Sequence, residues 1–106
     1  MFWFKRKAEQ PIEEEVVAAH WYTYMVRCAD GSLYTDVAAD VSQAMREINA
    51  GQGPKYTRMR YPVFLVHSEE FMNDGDAERR ADMIRKLDRR RKENLLSDLM
   101  VGALEA

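Results

Sequence analysis

Tyr24 and Tyr34 flank the turn Cys28-Ala29-Asp30-Gly31, and whether the two phenols can meet depends on how that turn closes. Each sits in a run that reads as a strand: Trp21-Tyr22-Thr23-Tyr24-Met25-Val26 before the turn, Ser32-Leu33-Tyr34-Thr35-Asp36-Val37 after it. The loop length decides whether they can cooperate. A two-residue Asp30-Gly31 loop pairs Arg27 with Tyr34 and leaves the phenols on opposite faces. A three-residue Ala29-Asp30-Gly31 loop, with Gly31 left-handed in a bulge, pairs Cys28 with Ser32 and sets Tyr24 opposite Asp36. Both phenols then share one face.

A second group is Lys55, Tyr56, Arg58 and Arg60, cations interleaved with one aromatic ahead of Pro62. That pattern suits phosphates and stacked bases of a single strand; the plainer reading has Tyr56 packed under its loop and the cations solvated. A third is the stretch from Arg79 to Lys92, where eight basic residues meet two acidic ones and give +6. The whole chain of 106 residues carries −2, so the remainder holds −8. A basic ridge on an acidic body can follow phosphates, or it can be the solvated side of a helix. Cys28 is the sole cysteine, and His20 and His67 stand far apart, so no disulfide framework and no metal ligand set is expected.

The elements that must position these groups follow from patterning. Residues 1–16 read as an extension, residues 17–92 as the domain and residues 93–106 as a helical tail with Leu95, Leu96, Leu99, Met100 and Leu104 on an apolar face. Asp40 caps a helix with Val41, Ala44, Met45 and Ile48 at helical spacing, ended by Asn49-Ala50-Gly51-Gln52-Gly53-Pro54. Tyr61 to Ser68 forms the third strand. After Asp74-Gly75-Asp76 a long helical pattern places Ala77, Ala81, Ile84 and Leu87 on one stripe and carries the Arg79–Lys92 ridge. The result is one α+β domain, a three-stranded antiparallel sheet flanked by helices. No apolar run reaches the roughly 20 residues that span a bilayer, so no membrane role and a cytoplasmic location are expected.

From about Trp21 to Lys92 the chain resembles the GIY-YIG nuclease superfamily, in its short stand-alone bacterial subgroup. Tyr22-Thr23-Tyr24 and Tyr34-Thr35-Asp36 stand where the family has its two signature tripeptides. Ala29-Asp30-Gly31-Ser32-Leu33, Asn49-Ala50-Gly51, Lys55-Tyr56-Thr57-Arg58, and Pro62-Val63 followed by Ser68-Glu69-Glu70-Phe71 extend the likeness. The resemblance implies the bulged hairpin, because the family needs both tyrosines on one face. It also implies metal-dependent phosphodiester cleavage, with Tyr24 and Tyr34 organising the attacking water, a helix arginine on the phosphate and a glutamate holding the metal.

The chain departs from that pattern at several points. The arginine position is Ala44, the glutamate position Ala81, the subgroup histidine position Ile48, and the tripeptide glycine is Asp36. Tyr24 and Tyr34 are thus expected as vestigial catalytic residues, and Lys55, Tyr56, Arg58, Arg60, Arg79 and Arg80 as nucleic-acid-binding residues. No cofactor is expected, with Mg²⁺ or Mn²⁺ entering only if cleavage persists through Glu78 and Asp36. The expectation is a catalytically degenerate domain that binds nucleic acid, DNA in preference to RNA. The alternative is a protein-interaction or regulatory module, or a homodimer, on the same scaffold.

Overall fold

The structure is a computed structural model; it describes residues 20–105, and side chains over residues 20–97. The elements run β1 (Trp21–Arg27), β2 (Leu33–Ala38), α1 (Val41–Asn49), a 3-10 turn (Lys55–Thr57), β3 (Phe64–Phe71), α2 (Asp74–Arg85) and α3 (Arg89–Glu105). The sheet is antiparallel with β1 at its centre, in the order β2-β1-β3. The expected α+β class and three-stranded sheet hold. The extension of residues 1–16 lies outside the described residues, as do the side chains of Leu99, Met100 and Leu104. No described helix is long and apolar enough to cross a membrane.

Gly31 sets the hairpin register. Its φ of +88° is left-handed, a conformation that glycine adopts without a Cβ penalty. The Cys28 amide donates to the Ser32 carbonyl at 2.8 Å, and the Gly31 amide donates back to the Cys28 carbonyl at 2.9 Å. This is the three-residue loop with its bulge. Tyr24 therefore lies opposite Asp36 and Val26 opposite Tyr34, as the resemblance implied.

Strand alternation then divides the core into two layers. Tyr24, Val26 and Cys28 point to one face, where they form a buried cluster with Ile48 and Val63, and Val41, Ala44, Met45 and Tyr34 pack against it. That layer is roofed by α1, whose N-cap Asp40 accepts from the Gln43 amide at 3.0 Å. Thr23 and Met25 point to the other face, beneath α2, whose Ala77, Ala81 and Ile84 are wholly buried. The Thr23 hydroxyl donates to the Ala77 carbonyl at 2.7 Å and so pins α2 to β1.

Two buried threonines on this second face make opposite demands. Thr23 is satisfied, whereas the buried Thr35 hydroxyl has no partner among the described residues. Thr23→Val is expected to cost about 1 kcal/mol, because it removes the side-chain hydrogen bond that ties the Ala77 carbonyl of α2 to β1. Thr35→Val removes an unmet polar group and is expected to leave the chemical-denaturation midpoint unchanged or higher. Paired urea melts check both signs.

Two expectations are corrected. The third strand does not start at Tyr61: Pro62 has no amide, and Val63 spends its backbone groups on Asn49, which donates to the Val63 carbonyl at 3.3 Å and accepts from its amide at 2.7 Å. The ladder thus begins at Phe64, and it extends to Phe71 because Trp21 and Tyr22 pair with Phe71 and Glu70. The Arg79–Lys92 ridge is not one helix, since α2 stops at Arg85 and α3 starts at Arg89. Beyond these, α3 runs unbroken through position 93, and Glu93 binds Arg27 of β1 at 2.6 and 2.9 Å.

Candidate functional site

The paired tyrosines meet a carboxylate rather than open space. The Tyr34 hydroxyl donates to Asp36 at 2.8 Å, and Asp36 also accepts from the Val37 amide at 2.8 Å. Burial pushes the Tyr34 phenol well above its ordinary value of 10.0, and the Asp36 hydrogen bond and charge push it further. Burial does the same to Tyr24, with Asp36 and Glu47 adding to it and Arg85 opposing. Both phenols stay protonated through neutral pH.

Arg85 completes this cluster, and it was not singled out from the sequence. Its Nε donates to the Thr35 carbonyl at 3.2 Å and its Nη2 to Asp36 at 3.3 Å, while Nη1 donates to Asp82 at 2.9 Å and lies 3.6 Å from Glu78. One guanidinium thus serves three carboxylates, reaching from α2 to the edge strand β2. The signal was available. Glu78, Ala81, Asp82 and Arg85 follow helical spacing, but only the sheet shows that this side meets Asp36.

Ala44 and Ala81 do not border one shared opening. Ala44 packs on the α1 side against the cluster that holds Tyr24, whereas Ala81 is buried on the α2 side with Ala77 and Ile84. Both methyls serve as packing atoms. As a donor set for Mg²⁺ or Mn²⁺ the residues present do not fit. Asp36 and Glu78 are brought together, but around a guanidinium, and a hard divalent cation requires several oxygen ligands free of such a charge.

The loop cations form a separate assembly at the turn end of the hairpin. Tyr56 stacks on Tyr34 with ring centroids 5.5 Å apart and planes 12° from parallel. The Arg60 guanidinium lies 3.9 Å over the Tyr56 ring. It is fixed there by Nε to Asp30 at 3.1 Å and by Nη1 to the Tyr56 carbonyl at 2.7 Å. The Arg60 carbonyl in turn accepts from the Ala29 amide at 2.8 Å, which ties the loop to the turn. Lys55 and Arg58 are exposed and join none of the ion pairs among the described residues; the Arg58 side chain donates to the Gly53 carbonyl, at 3.0 Å. Tyr56, expected as the base-stacking ring, is therefore already occupied by two planar neighbours.

Arg79 and Arg80 are not gathered with these residues. Arg79 pairs with Asp76 on its own helix, and Arg80 holds Glu69 of β3 through contacts of 2.9 to 3.2 Å. Glu69 aligns with Thr23, five residues along β1 from Cys28, roughly 16 Å from the turn. On the ridge it is Arg89 that reaches the turn, donating to the Gly31 carbonyl at 3.1 Å. The two histidines are engaged as well, His20 with Glu70 and His67 with Glu69.

This architecture has relatives. The family model described as the GIY-YIG catalytic domain matches residues 20–94. A UPF0213 protein of Natronomonas pharaonis is 44% identical over 82 residues, covering 77% of this chain and 96% of the relative. One from Staphylococcus saprophyticus is 43% identical over 77 residues, covering 73% and 94%. The solution NMR structure of a protein from E. faecalis superposes with a TM-score of 0.54 at 33% identity, over 77% of this chain and 88% of that one. With a bulged hairpin that seats both signature tyrosines on one face, and with these matches across most of its length, the chain belongs to the GIY-YIG family and, within it, to the UPF0213 proteins.

Proposed function

We propose that this protein is a cytoplasmic nucleic-acid-binding domain, taking DNA in preference to RNA, on a GIY-YIG scaffold that no longer cleaves. The observation that carries the reading is the Asp36 cluster. A general base must accept a proton, yet Tyr34 gives its own to Asp36. A phosphate approaching the phenols meets three carboxylates around one guanidinium, so the local field repels it. Losing a dedicated charge-stabilising group costs about 10²–10³ in rate, and here Ala44 replaces one. The binding half rests on Lys55 and Arg58, whose charges no described carboxylate neutralises, beside Arg60 and Arg89.

Fluorescence anisotropy of a labelled oligonucleotide against salt tests this reading. Wild-type affinity is expected to fall with a log–log slope near −2, about −0.7 for each of three phosphates on a single strand. Lys55→Ala, Arg58→Ala and Arg60→Ala combined should abolish most of that slope. No binding at low salt, or binding indifferent to salt, refutes it.

A second reading is favoured by one separate feature. Phe64, Leu65 and Val66 form a consecutive exposed apolar run on the edge strand β3, and Leu65 and Val66 line a cavity of about 440 Å³ with Leu96 and Ser97. Unpaired strand edges with apolar side chains attract partners. A concentration-dependent mass in sedimentation would support this protein-interaction role, and a monomer up to high concentration would remove its homodimer form.

A further inference from the structure

We infer that the stack Tyr34–Tyr56–Arg60 is a platform for one unpaired base, with Arg60 as the stacking plane, which makes the protein selective for single strands over duplex. The inference rests on the nucleic-acid-binding reading above and names its substrate class. Its basis is how Arg60 is held. A solvated arginine samples many rotamers, but this guanidinium is fixed by a ring 3.9 Å below it, a carboxylate at 3.1 Å and a carbonyl at 2.7 Å. Those tethers use the nitrogen edges and the face toward Tyr56, and the side chain stays about one-third exposed, at 35%.

Guanidinium planes are weakly hydrated and stack on π-systems, so a guanidinium already held in place and still partly exposed can take up a base at little entropic cost. The surroundings match a nucleotide rather than a peptide or a lipid. Lys55, Tyr56, Arg58, Met59 and Arg60 line a shallow depression of about 570 Å³. Met59, 89% exposed, offers an apolar edge for a base. Lys55 and Arg58 stand ready for the flanking phosphates. Bases inside a duplex have both faces covered by neighbours, so only an unpaired or terminal base can add to this stack.

The test uses the full chain with an oligonucleotide carrying 2-aminopurine, presented as a single strand and as a blunt duplex of equal phosphate count, in DNA and RNA forms. Wild type is expected to bind the single strand more tightly and to quench the 2-aminopurine emission. Arg60→Lys keeps the charge and loses the plane; it should weaken single-strand binding roughly 5- to 100-fold, restore emission and so shrink the preference for the single strand over the duplex. Tyr56→Leu, which removes the support beneath the guanidinium without altering charge, should act in the same direction. Equal affinity for both forms, or an Arg60→Lys variant that still quenches, overturns the platform while leaving the binding function standing. Failure to bind either form overturns both.

Discussion

Ile84→Ala is expected to lower the unfolding free energy by about 3–5 kcal/mol, toward the upper part of the range for buried aliphatic truncation. The reason is the composition of the α2 stripe. Ala77 and Ala81 contribute only methyls, so Ile84 is the single large side chain among the wholly buried residues of that helix. The layer beneath is Thr23, Met25 and Thr35, two of them polar and unable to spread into a void. A domain of this size holds about 5–15 kcal/mol in total, so the loss is a large share of its stability. The consequence reaches the site, because Arg85 follows Ile84 and anchors to Thr35 and Asp36. Urea unfolding should show a lower midpoint with an unchanged slope; a loss under 1 kcal/mol contradicts this account of how α2 is held.

Gly53→Ala is expected to cost about 1–3 kcal/mol and to weaken oligonucleotide binding at the same time. A Cβ at position 53 would stand 2.6 Å from Ile48 Cγ1, 3.0 Å from Ile48 Cα and 3.0 Å from Thr57 Oγ1. Ile48 is buried in the α1 layer and its backbone cannot yield. The loop must move instead. Thr57 closes the 3-10 turn onto the Pro54 carbonyl at 2.8 Å, and Arg58 donates to the Gly53 carbonyl, so the displacement carries the cations with it. Thermal melting and anisotropy titration of the same variant check the two effects together. A stable variant with weakened binding would still place the loop at the interface, whereas wild-type values for both would contradict the close packing at Gly53.

Local chemistry made much of this fold legible. Asp40 announced its helix through a cap, Gly31 permitted a left-handed turn, and the Ala77–Ala81–Ile84 spacing marked the buried side of α2. Placing both phenols on one face needed the family likeness as well, because turn residues alone allowed either loop. What stayed hidden depends on partners distant in sequence. The start of β3 is set by Asn49, fourteen residues before Val63, and no strand pattern contains that information. Charge counting along the Arg79–Lys92 stretch could not show that Arg79 and Arg80 are spent on Asp76 and Glu69. Nor could it show Arg85 turned toward Asp36. Tyr56 looked like a free stacking ring because its two planar neighbours, Tyr34 and Arg60, arrive from a strand and from the end of its own loop.

Incubating the protein in excess over end-labelled DNA or RNA with Mg²⁺ or Mn²⁺, beside a Tyr34→Phe control, tests the proposal of a scaffold that no longer cleaves most directly. With the phenol proton committed to Asp36 and one guanidinium shared by three carboxylates, wild type and control should both leave the strands as intact as buffer does. Metal-dependent incision by wild type that Tyr34→Phe abolishes would contradict that account.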